Sequence, residues 1–282
     1  MFHVQTETSD IRLAPMTARD FLVDRSVLDD DSVNLVLTDP PYVISRCSGF
    51  RRRDAQGNFG GNPQYAIHTD FGDWDKAEGF TTQDLAESIN AFHRVLRPGG
   101  VAIVFFDIWK ISDLVRIMEN AGLVNPTMIE WVKTNAVPIN SRKNYLTNAR
   151  EVAVVAHKPV AVPDDEIKCR SRSPDGTYKY PIHAGKDRFH PTQKSLPLFE
   201  ELIKIHTDPG DLVVDCFSGS GTTAVAAART GRSFAGCEPD QDPQTDYYGR
   251  SIERIESLVS RSAVANISPT PKDREFRSNS DG

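Results

Sequence analysis

Residues 212–224 read LVVDCFSGSGTTA. The apolar run at 212–216 predicts a buried strand, and the residues from Thr222 onward predict a helix. Between them, Gly219 and Gly221 let the backbone approach a ligand closely, and the start of the helix offers unpaired N–H groups. A strand, a glycine-rich turn and a helix in this order are typical of a nucleotide cradle at the edge of an α/β sheet.

The same alternation of strands and helices extends along the chain. Strands are predicted at 33–38, 101–106, 127–132, 151–156, 212–216 and 233–237, with a weaker one at 11–14. Helices are predicted at 82–96, 109–120, 196–206, 222–230 and 246–260. This pattern indicates a largely parallel sheet with helices on both faces.

Length and composition narrow the class of protein. The 282 residues fit one domain at 1–265, followed by a polar segment at 266–282 that predicts a disordered tail. Four cysteines without paired spacing indicate neither a metal site nor a disulfide framework. The start of the chain lacks a signal-peptide pattern and the apolar runs are too short to span a bilayer, so we expect a cytoplasmic protein.

Basic residues are concentrated in two stretches, although the net charge is −6. The first, at 43–75, carries Arg46, Arg51, Arg52 and Arg53, and its glycines predict a mobile loop from 46 to 61. The second, at 160–188, carries Lys168, Arg170 and Arg172; from 166 to 194, seven basic residues stand against three acidic ones, a local excess of four positive charges. Such runs are either solvated surface or local contacts to phosphates.

The glycine-rich turn is compatible with two nucleotide ligands. Glu238 follows the strand at 233–237, where a carboxylate can hold the two hydroxyls of a ribose. Gly219, Gly221 and Ala224, with Glu238 nineteen positions after Gly219, also satisfy the fingerprint of a nicotinamide enzyme. On this turn alone, nicotinamide and S-adenosylmethionine binding are equally supported, whereas a P-loop is disfavoured because no Gly-Lys-Ser/Thr sequence is present.

A second motif distinguishes between nicotinamide binding and S-adenosylmethionine binding. The predicted strand at 33–38 runs directly into Asp39-Pro40-Pro41-Tyr42, at the end of a strand where α/β proteins bind their ligands. The prolines stiffen this turn. A rigid surface turn is the alternative, and the position of the motif directly after an apolar strand, in the same chain as the glycine-rich turn, argues against it.

Together the two motifs resemble those of the DNA amino-methyltransferases that modify N6 of adenine or N4 of cytosine. In that family a DPPY-type motif holds the target base and an FxGxG-type motif holds S-adenosyl-L-methionine, and the order found here resembles its permuted beta group. Segments 131–135, 151–158 and 190–195 match as well, so the resemblance covers nearly the whole chain.

The resemblance implies an S-adenosylmethionine-dependent methyltransferase fold, a doubly wound, mostly parallel seven-stranded sheet in permuted order. It implies a catalytic half at about 11–160, DNA-recognition insertions at about 43–75 and 160–188, and a cofactor half at about 189–262. It also implies double-stranded DNA as a partner, pairing as a homodimer, and a role in restriction and modification. No metal is expected.

The resemblance and the residues together give three sets of candidate site residues. The catalytic set is Asp39, Pro40, Pro41 and Tyr42. The cofactor set is Asp215, Phe217, Ser218, Gly219, Gly221, Thr222 and Glu238, with His190, Thr192 and Lys194 added from the matched segment 190–195. The resemblance adds Asp20 from its position before the DPPY strand alone, and an acid on a surface helix is the alternative there. The DNA-binding set is Arg46, Arg51, Arg52, Arg53, Lys168, Arg170 and Arg172.

The DPPY residues suggest how the amine is activated. Asp39 and the carbonyl of Pro40 can each accept one N–H of an exocyclic amine and stabilise the positive charge that develops on it. The base must leave the duplex to reach them, and the ring of Tyr42 can stack on it. Methylation at C5 of cytosine is disfavoured because no cysteine follows a proline.

Adenine is the favoured target, because cytosine-modifying members of the family more often carry Ser where Asp39 stands. An N4-cytosine enzyme, a methyltransferase of RNA or of a protein amide, a nicotinamide-dependent oxidoreductase and a DNA-binding protein without catalysis stay as alternatives. A Tyr-x-x-x-Lys or comparable hydride-transfer pattern is missing, which disfavours the oxidoreductase. The target sequence and a restriction-enzyme partner are not readable from these residues.

Overall fold

The computed structural model describes residues 1–42, 46–53, 59–69, 80–136, 149–160, 175–185, 188–239 and 246–265. The strands are β1 (Phe2–Gln5), β2 (Asp10–Ala14), β3 (Val33–Thr38), β4 (Arg46–Arg53), β5 (Phe59–Thr69), β6 (Leu96–Phe106), β7 (Val124–Lys133), β8 (Arg150–His157), β9 (Thr177–Tyr180), β10 (Leu212–Asp215) and β11 (Ser233–Cys237). The helices are α1 (Ala18–Val23), α2 (Thr82–Val95), α3 (Ile111–Asn120), α4 (Leu196–His206), α5 (Thr222–Arg229) and α6 (Tyr247–Ala265), with a short 3-10 helix at Ile108–Lys110.

Within the described residues, the main sheet holds nine strands in the order β1-β2-β11-β10-β3-β6-β8-β7-β9. The five strands from β2 to β6 in this order are parallel, and β8 is antiparallel to both of its neighbours. All seven predicted strands are present, and the short strands β1 and β9 extend the sheet at its two edges. The predicted α/β class is confirmed, with a more mixed sheet than expected.

Apolar side chains of the central strands alternate between two cores, one on each face of the sheet. In β3, Leu35 and Leu37 pack with α4, α5 and α6, whereas Val36 packs with α1, α2 and α3. This alternation with a period of two is what covering both faces of a sheet requires. Helices therefore lie on both sides, as in a doubly wound fold.

Residues 46–53 and 59–61 of the predicted loop form strands, so the prediction was wrong there, and residues 54–58 lie outside the described residues. β4 and β5 pair as an antiparallel hairpin, with a register shift between Gly49 and Arg51. Glycine weakens a strand considered alone, but pairing with a second strand satisfies its backbone groups, and a bulge at glycine absorbs the irregularity. The basic residues of this stretch consequently lie on a two-stranded ribbon.

No helix in the described parts of the chain combines the length and apolar composition needed to cross a bilayer.

The sheet order brings the two sequence motifs together. β3 and β10 are direct neighbours and parallel, so the residues that follow Thr38 and Asp215 lie at the same edge of the sheet. β11 and β6, which flank this pair, end at the same edge with Cys237 and Phe106. Because β8 runs the opposite way, its first residues, including Glu151, also lie there.

Candidate active site

A cleft of about 1610 Å³ opens at the carboxyl ends of the central strands. Its walls come from the turn after β3, the end of β6, the glycine-rich turn after β10, the end of β11 and the segment before α4. They include Asp39, Pro40, Pro41, Tyr42, Asp107, Glu151, His190, Thr192, Gln193, Lys194, Asp215, Phe217, Ser218, Gly219, Thr222 and Glu238. One cleft thus contains both motifs that were recognised in the sequence.

The turn after β3 holds a largely buried carboxylate. The side chain of Asp39 is 17% exposed, and the hydroxyl of Tyr42 donates a hydrogen bond to its Oδ1. The Tyr42 ring packs edge-on against Phe106, with 5.5 Å between the ring centroids, and Lys110 Nζ donates to the Tyr42 carbonyl at 3.1 Å. In this arrangement Tyr42 orients the carboxylate while its ring lines the cleft.

A buried lysine lies against the same carboxylate. Lys194 Nζ is 2.8 Å from Asp39 Oδ2 and 2.6 Å from Glu151 Oε2, and its side chain is 7% exposed. Glu151 Oε1 in turn lies 2.7 Å from Lys133 Nζ at the end of β7. Lys194 was predicted to contact the cofactor, but the structure places its charge between Asp39 and Glu151, on the side of the DPPY turn.

The pKa values of this cluster reflect burial and opposite charges. Burial raises the pKa of Asp39, Lys194 acts to lower it, and the net direction is upward. For Glu151, burial acts to raise the pKa, but Lys194 and Lys133 outweigh it and leave the pKa lowered. Burial acts to lower the pKa of Lys194, and Asp39 with Glu151 outweighs it, so its pKa is raised and the lysine stays charged.

The turn after β10 requires glycine at two positions. Gly219 has φ +50° and Gly221 has φ +71°, in the left-handed region that residues with a Cβ rarely adopt. A Cβ on Gly219 would lie 3.3 Å from Nε2 of His190. Arg254 of α6 donates to the carbonyl of Ser220 at 2.7 Å and stabilises the turn from behind.

Asp215 lines the cleft and connects the two motifs. Its carboxylate accepts hydrogen bonds from the hydroxyls of Thr38 and Thr223, both at 2.6 Å, and from the Phe217 amide at 3.0 Å. Burial raises the pKa of Asp215 to about 6, and these three donors act in the opposite direction. Asp215 therefore orders the ends of β3 and β10 relative to each other.

Glu238 follows β11 and lines the cleft. Its Oε2 accepts the N–H of Gly219 at 2.7 Å, which joins the end of β11 to the glycine-rich turn. Burial raises the pKa of Glu238 to about 7, with the Gly219 N–H lowering it and the charge of Asp215 raising it. A carboxylate in this position can accept hydrogen bonds from ligand hydroxyls.

The segment before α4 covers the glycine-rich turn. The centroids of the His190 and Tyr247 rings are 4.3 Å apart, and Thr192 Oγ1 lies 3.1 Å from Nδ1 of His190. Burial, followed by the charges of Lys194 and Arg188, lowers the pKa of His190 to about 3, so its ring is neutral at physiological pH. His190 and Thr192 thus line the cleft beside the glycine-rich turn, and their contact with the cofactor stays a prediction.

Two cleft residues carry buried polar atoms that lack a hydrogen-bond partner among the described residues. They are Ser218, through its Oγ, and Gln193, which is 4% exposed and lacks partners for both its Oε1 and its Nε2. Leaving a buried polar group unpaired costs free energy, so such groups point to a ligand. The turn at Gly219, Ser218 and Glu238 fits a nucleoside that brings hydroxyl groups and a polar tail.

Several predicted residues lie elsewhere. Asp20 is exposed on α1, where its side chain accepts a hydrogen bond from the Thr17 hydroxyl at 2.7 Å, and it does not line the cleft. This matches the alternative of an acid on a surface helix. Arg46, Arg51, Arg52 and Arg53 lie on β4, and Lys168, Arg170 and Arg172 lie outside the described residues.

Three residues of the site were missed from the sequence in these roles: Glu151, Gln193 and Arg254. Glu151 enters because β8 is antiparallel, which its residues alone do not reveal. Gln193 lies within the matched segment 190–195, and a polar residue between His190 and Lys194 was the available signal. Arg254 acts from α6 through a backbone carbonyl, for which the sequence holds no signal.

Comparisons with known proteins agree with this geometry. A family model described as "DNA methylase" (N6_N4_Mtase) matches residues 33–244. The chain is 29% identical over 253 residues to the type II methyltransferase M2.DpnII of Streptococcus pneumoniae, covering 82% of this chain and 85% of that protein.

Solved structures show the same fold. The M1.HpyAVI–SAM complex superposes with a TM-score of 0.60 at 27% identity, covering 87% of this chain and 98% of that one. The PvuII DNA methyltransferase, cytosine-N4-specific, gives 0.61 at 19% identity, covering 90% and 93%, a likeness of fold alone. The family match spans most of the chain and includes both motifs, so this chain belongs to the N6/N4 DNA methylase family.

Proposed function

We propose that this DNA methyltransferase transfers a methyl group from S-adenosyl-L-methionine to N6 of an adenine that has left the DNA duplex. The observation that carries this proposal is the buried carboxylate of Asp39 in the same cleft as the turn at Gly219 and Gly221. The first suits an exocyclic amine, and the second suits a nucleoside.

The cofactor side of the cleft is built by residues after β10 and β11. When bound, S-adenosylmethionine supplies a sulfonium methyl group. The carboxylate of Glu238 accepts hydrogen bonds from the ribose hydroxyls, and the lack of a side chain at Gly219 lets the backbone lie against the ligand. The unpartnered hydroxyl of Ser218 gains a partner there.

On the base side, Asp39 accepts one N–H of the target amine and the Pro40 carbonyl accepts the other. Both stabilise the positive charge that builds on the nitrogen, so the pocket acts through preorganised electrostatics. The nitrogen lone pair forms the new N–C bond, the electrons of the broken C–S bond stay on sulfur, and the nitrogen then releases one proton to water.

Adenine is preferred over cytosine because the first residue of the motif is Asp39, where cytosine-modifying relatives more often carry serine. The fold does not separate the two, since the cytosine-N4-specific PvuII enzyme shares it. The test is to incubate the protein with labelled S-adenosylmethionine and mixed-sequence duplex DNA and to separate the nucleosides by mass. N6-methyladenine is expected, and N4-methylcytosine as the main product would overturn the choice of base.

Asp39→Ala tests whether Asp39 binds the target base and not the cofactor. We expect it to abolish methyl transfer while S-adenosylmethionine affinity, measured by calorimetry, changes little. Asp113→Ala, at an exposed position of α3, is the matched control and should leave both unchanged. A loss of cofactor affinity in proportion to activity would remove Asp39 from the base pocket.

The basic insertions are proposed to hold the DNA backbone. Charge reversal at Arg170 and Arg172 should weaken DNA binding and make it less dependent on salt concentration. Each phosphate contact that is lost reduces the number of counterions released when DNA binds. Cofactor affinity should not change. A homodimer, which the family resemblance implies, is a separate prediction for sedimentation analysis.

A further inference from the structure

Four alternating charges form a chain from the target-base pocket into the sheet. Asp39 Oδ2 lies 2.8 Å from Lys194 Nζ, Lys194 Nζ lies 2.6 Å from Glu151 Oε2, and Glu151 Oε1 lies 2.7 Å from Lys133 Nζ. All four side chains are at most 21% exposed. Three of them, Lys194, Glu151 and Lys133, have no part in the reaction as described above.

We propose that Lys194 is the positioning residue of the methyl-transfer reaction: its ammonium holds Asp39 as an ionised carboxylate in one orientation, and Glu151 holds the ammonium. This inference rests on the proposed function, because it assigns to Asp39 the role of accepting the target amine. The sequence-based expectation that Lys194 contacts the cofactor is a separate prediction.

The geometry leaves Asp39 free for its substrate. Lys194 occupies a position on Oδ2 and Tyr42 donates to Oδ1, while each carboxylate oxygen can accept two hydrogen bonds. One acceptor site on each oxygen is still available to an amine N–H. The two contacts fix the plane of the carboxylate, which a single flexible χ2 torsion would otherwise leave broad.

Charge balance explains why a lysine is needed here. The groups that face Asp39 are Lys194 from the segment before α4, Glu151 from β8, Asp215 from β10 and Tyr42 from its own turn, with Asp107 after β6 acting on Tyr42. Among them Lys194 carries the positive charge. Without it, burial and Glu151 would both favour the protonated acid, which cannot stabilise a cationic amine.

The positive charge of Lys194 also repels the charge that develops on the amine, so its benefit depends on Glu151. The carboxylate of Glu151 lies as close to the ammonium as Asp39 does and offsets part of its field. Lys133 then compensates Glu151 at the far end. The cluster thus holds two basic and two acidic side chains, and the positive charge of Lys194 acts on Asp39 in favour of its ionised form.

The test is the pH dependence of the single-turnover methylation rate on saturating duplex DNA. Lys194→Met should move the midpoint of the acidic limb to higher pH by about 1 to 3 pH units, the range that loss of an adjacent opposite charge produces. The rate should fall at a pH below the new midpoint and recover as the pH rises. Lys194→Arg keeps the charge and should leave the midpoint close to that of the wild type.

Glu151→Gln gives a test of opposite sign. Removing this negative charge takes away a group that raises the pKa of Asp39, so the acidic limb should move to lower pH. Lys158→Met is the matched control, since Lys158 is 15% exposed and paired with Asp31 at 2.5 Å but does not line the cleft. Its acidic limb should coincide with that of the wild type.

Melting curves and S-adenosylmethionine affinity are measured for every variant. An unmoved acidic limb in a folded Lys194→Met protein, or a loss of cofactor affinity that accounts for its lost rate, overturns the proposal. If Lys194→Met does not fold, an upward or absent shift in Glu151→Gln overturns it instead. The proposed function is contradicted if the wild-type enzyme does not make N6-methyladenine. The role of Lys194 is judged separately, from the midpoint of each variant's acidic limb relative to that of the wild type.

Discussion

Cofactor affinity should depend on pH through Glu238. Burial raises the pKa of this carboxyl to about 7 in the protein without ligand, and a ribose requires the ionised form as a hydrogen-bond acceptor. With a pKa near 7, about one molecule in eleven is ionised at pH 6 and about ten in eleven at pH 8. We therefore expect S-adenosylmethionine to bind about tenfold more weakly at pH 6 than at pH 8, a difference of about 1.4 kcal/mol.

Calorimetric titrations at pH 6, 7 and 8 measure this effect. The amino group of the ligand also titrates near pH 8, so the same series on Glu238→Gln supplies the correction. The variant should bind weakly at every pH and lack the additional slope of the wild type. Equal slopes in the two proteins would show that Glu238 does not bind the ligand in its ionised form.

The same pKa predicts the stability of the empty protein. Between pH 4.5 and about 7 the folded state holds a proton on Glu238 that the unfolded state has lost, so the free energy of unfolding falls as the pH rises. The full loss is up to about 3 kcal/mol. Glu238→Gln should consequently melt at a higher temperature than the wild type at pH 8, and at a similar one at pH 4.5.

Three further substitutions test the cleft. Gly219→Val should reduce cofactor affinity at least tenfold in a folded protein, because φ is +50° and a Cβ would lie 3.3 Å from His190; unchanged calorimetry would exclude this turn. Gln193→Leu should raise the melting temperature, since an unpaired buried amide costs about 1 to 3 kcal/mol, and it should lower the affinity for the cofactor or for DNA. Unchanged affinity for both the cofactor and DNA would mean that Gln193 serves no ligand. Thr38→Val should lower the free energy of unfolding by about 1 to 3 kcal/mol, because it leaves the buried Asp215 without one donor, and denaturant unfolding that matches the wild type would contradict this.

Central strands with nearly continuous apolar runs were predicted accurately from the sequence. The bounds of β3 and β11 agree with the prediction, because apolar residues fill both faces of these central strands. β1 and β9, by contrast, are four-residue edge strands with few apolar side chains. They exist through pairing with β2 and β7, so they depend on a neighbouring strand and not on an apolar pattern of their own.

The site residues likewise fall into those that the sequence predicts and those that it does not. The turns at Asp39 and Gly219 were predicted because each follows a strand whose carboxyl end must lie at the ligand-binding edge. The contact between Lys194 and Asp39 joins residues 155 positions apart and depends on the closing segment before α4 and on the reversed direction of β8. Neither is encoded in a local pattern, so this contact could not be predicted from the sequence.

The order of the strands has a consequence for the newly synthesised chain. β10 and β11 are made last, yet they lie between β2 and β3, with Val213 beside Leu35 and Phe234 beside Ile11. Until residues 212–237 have left the ribosome, β2 and β3 each present an unpaired edge, and a domain of such high contact order closes slowly. We therefore expect a chain truncated before residue 237 to aggregate rather than yield a smaller folded unit.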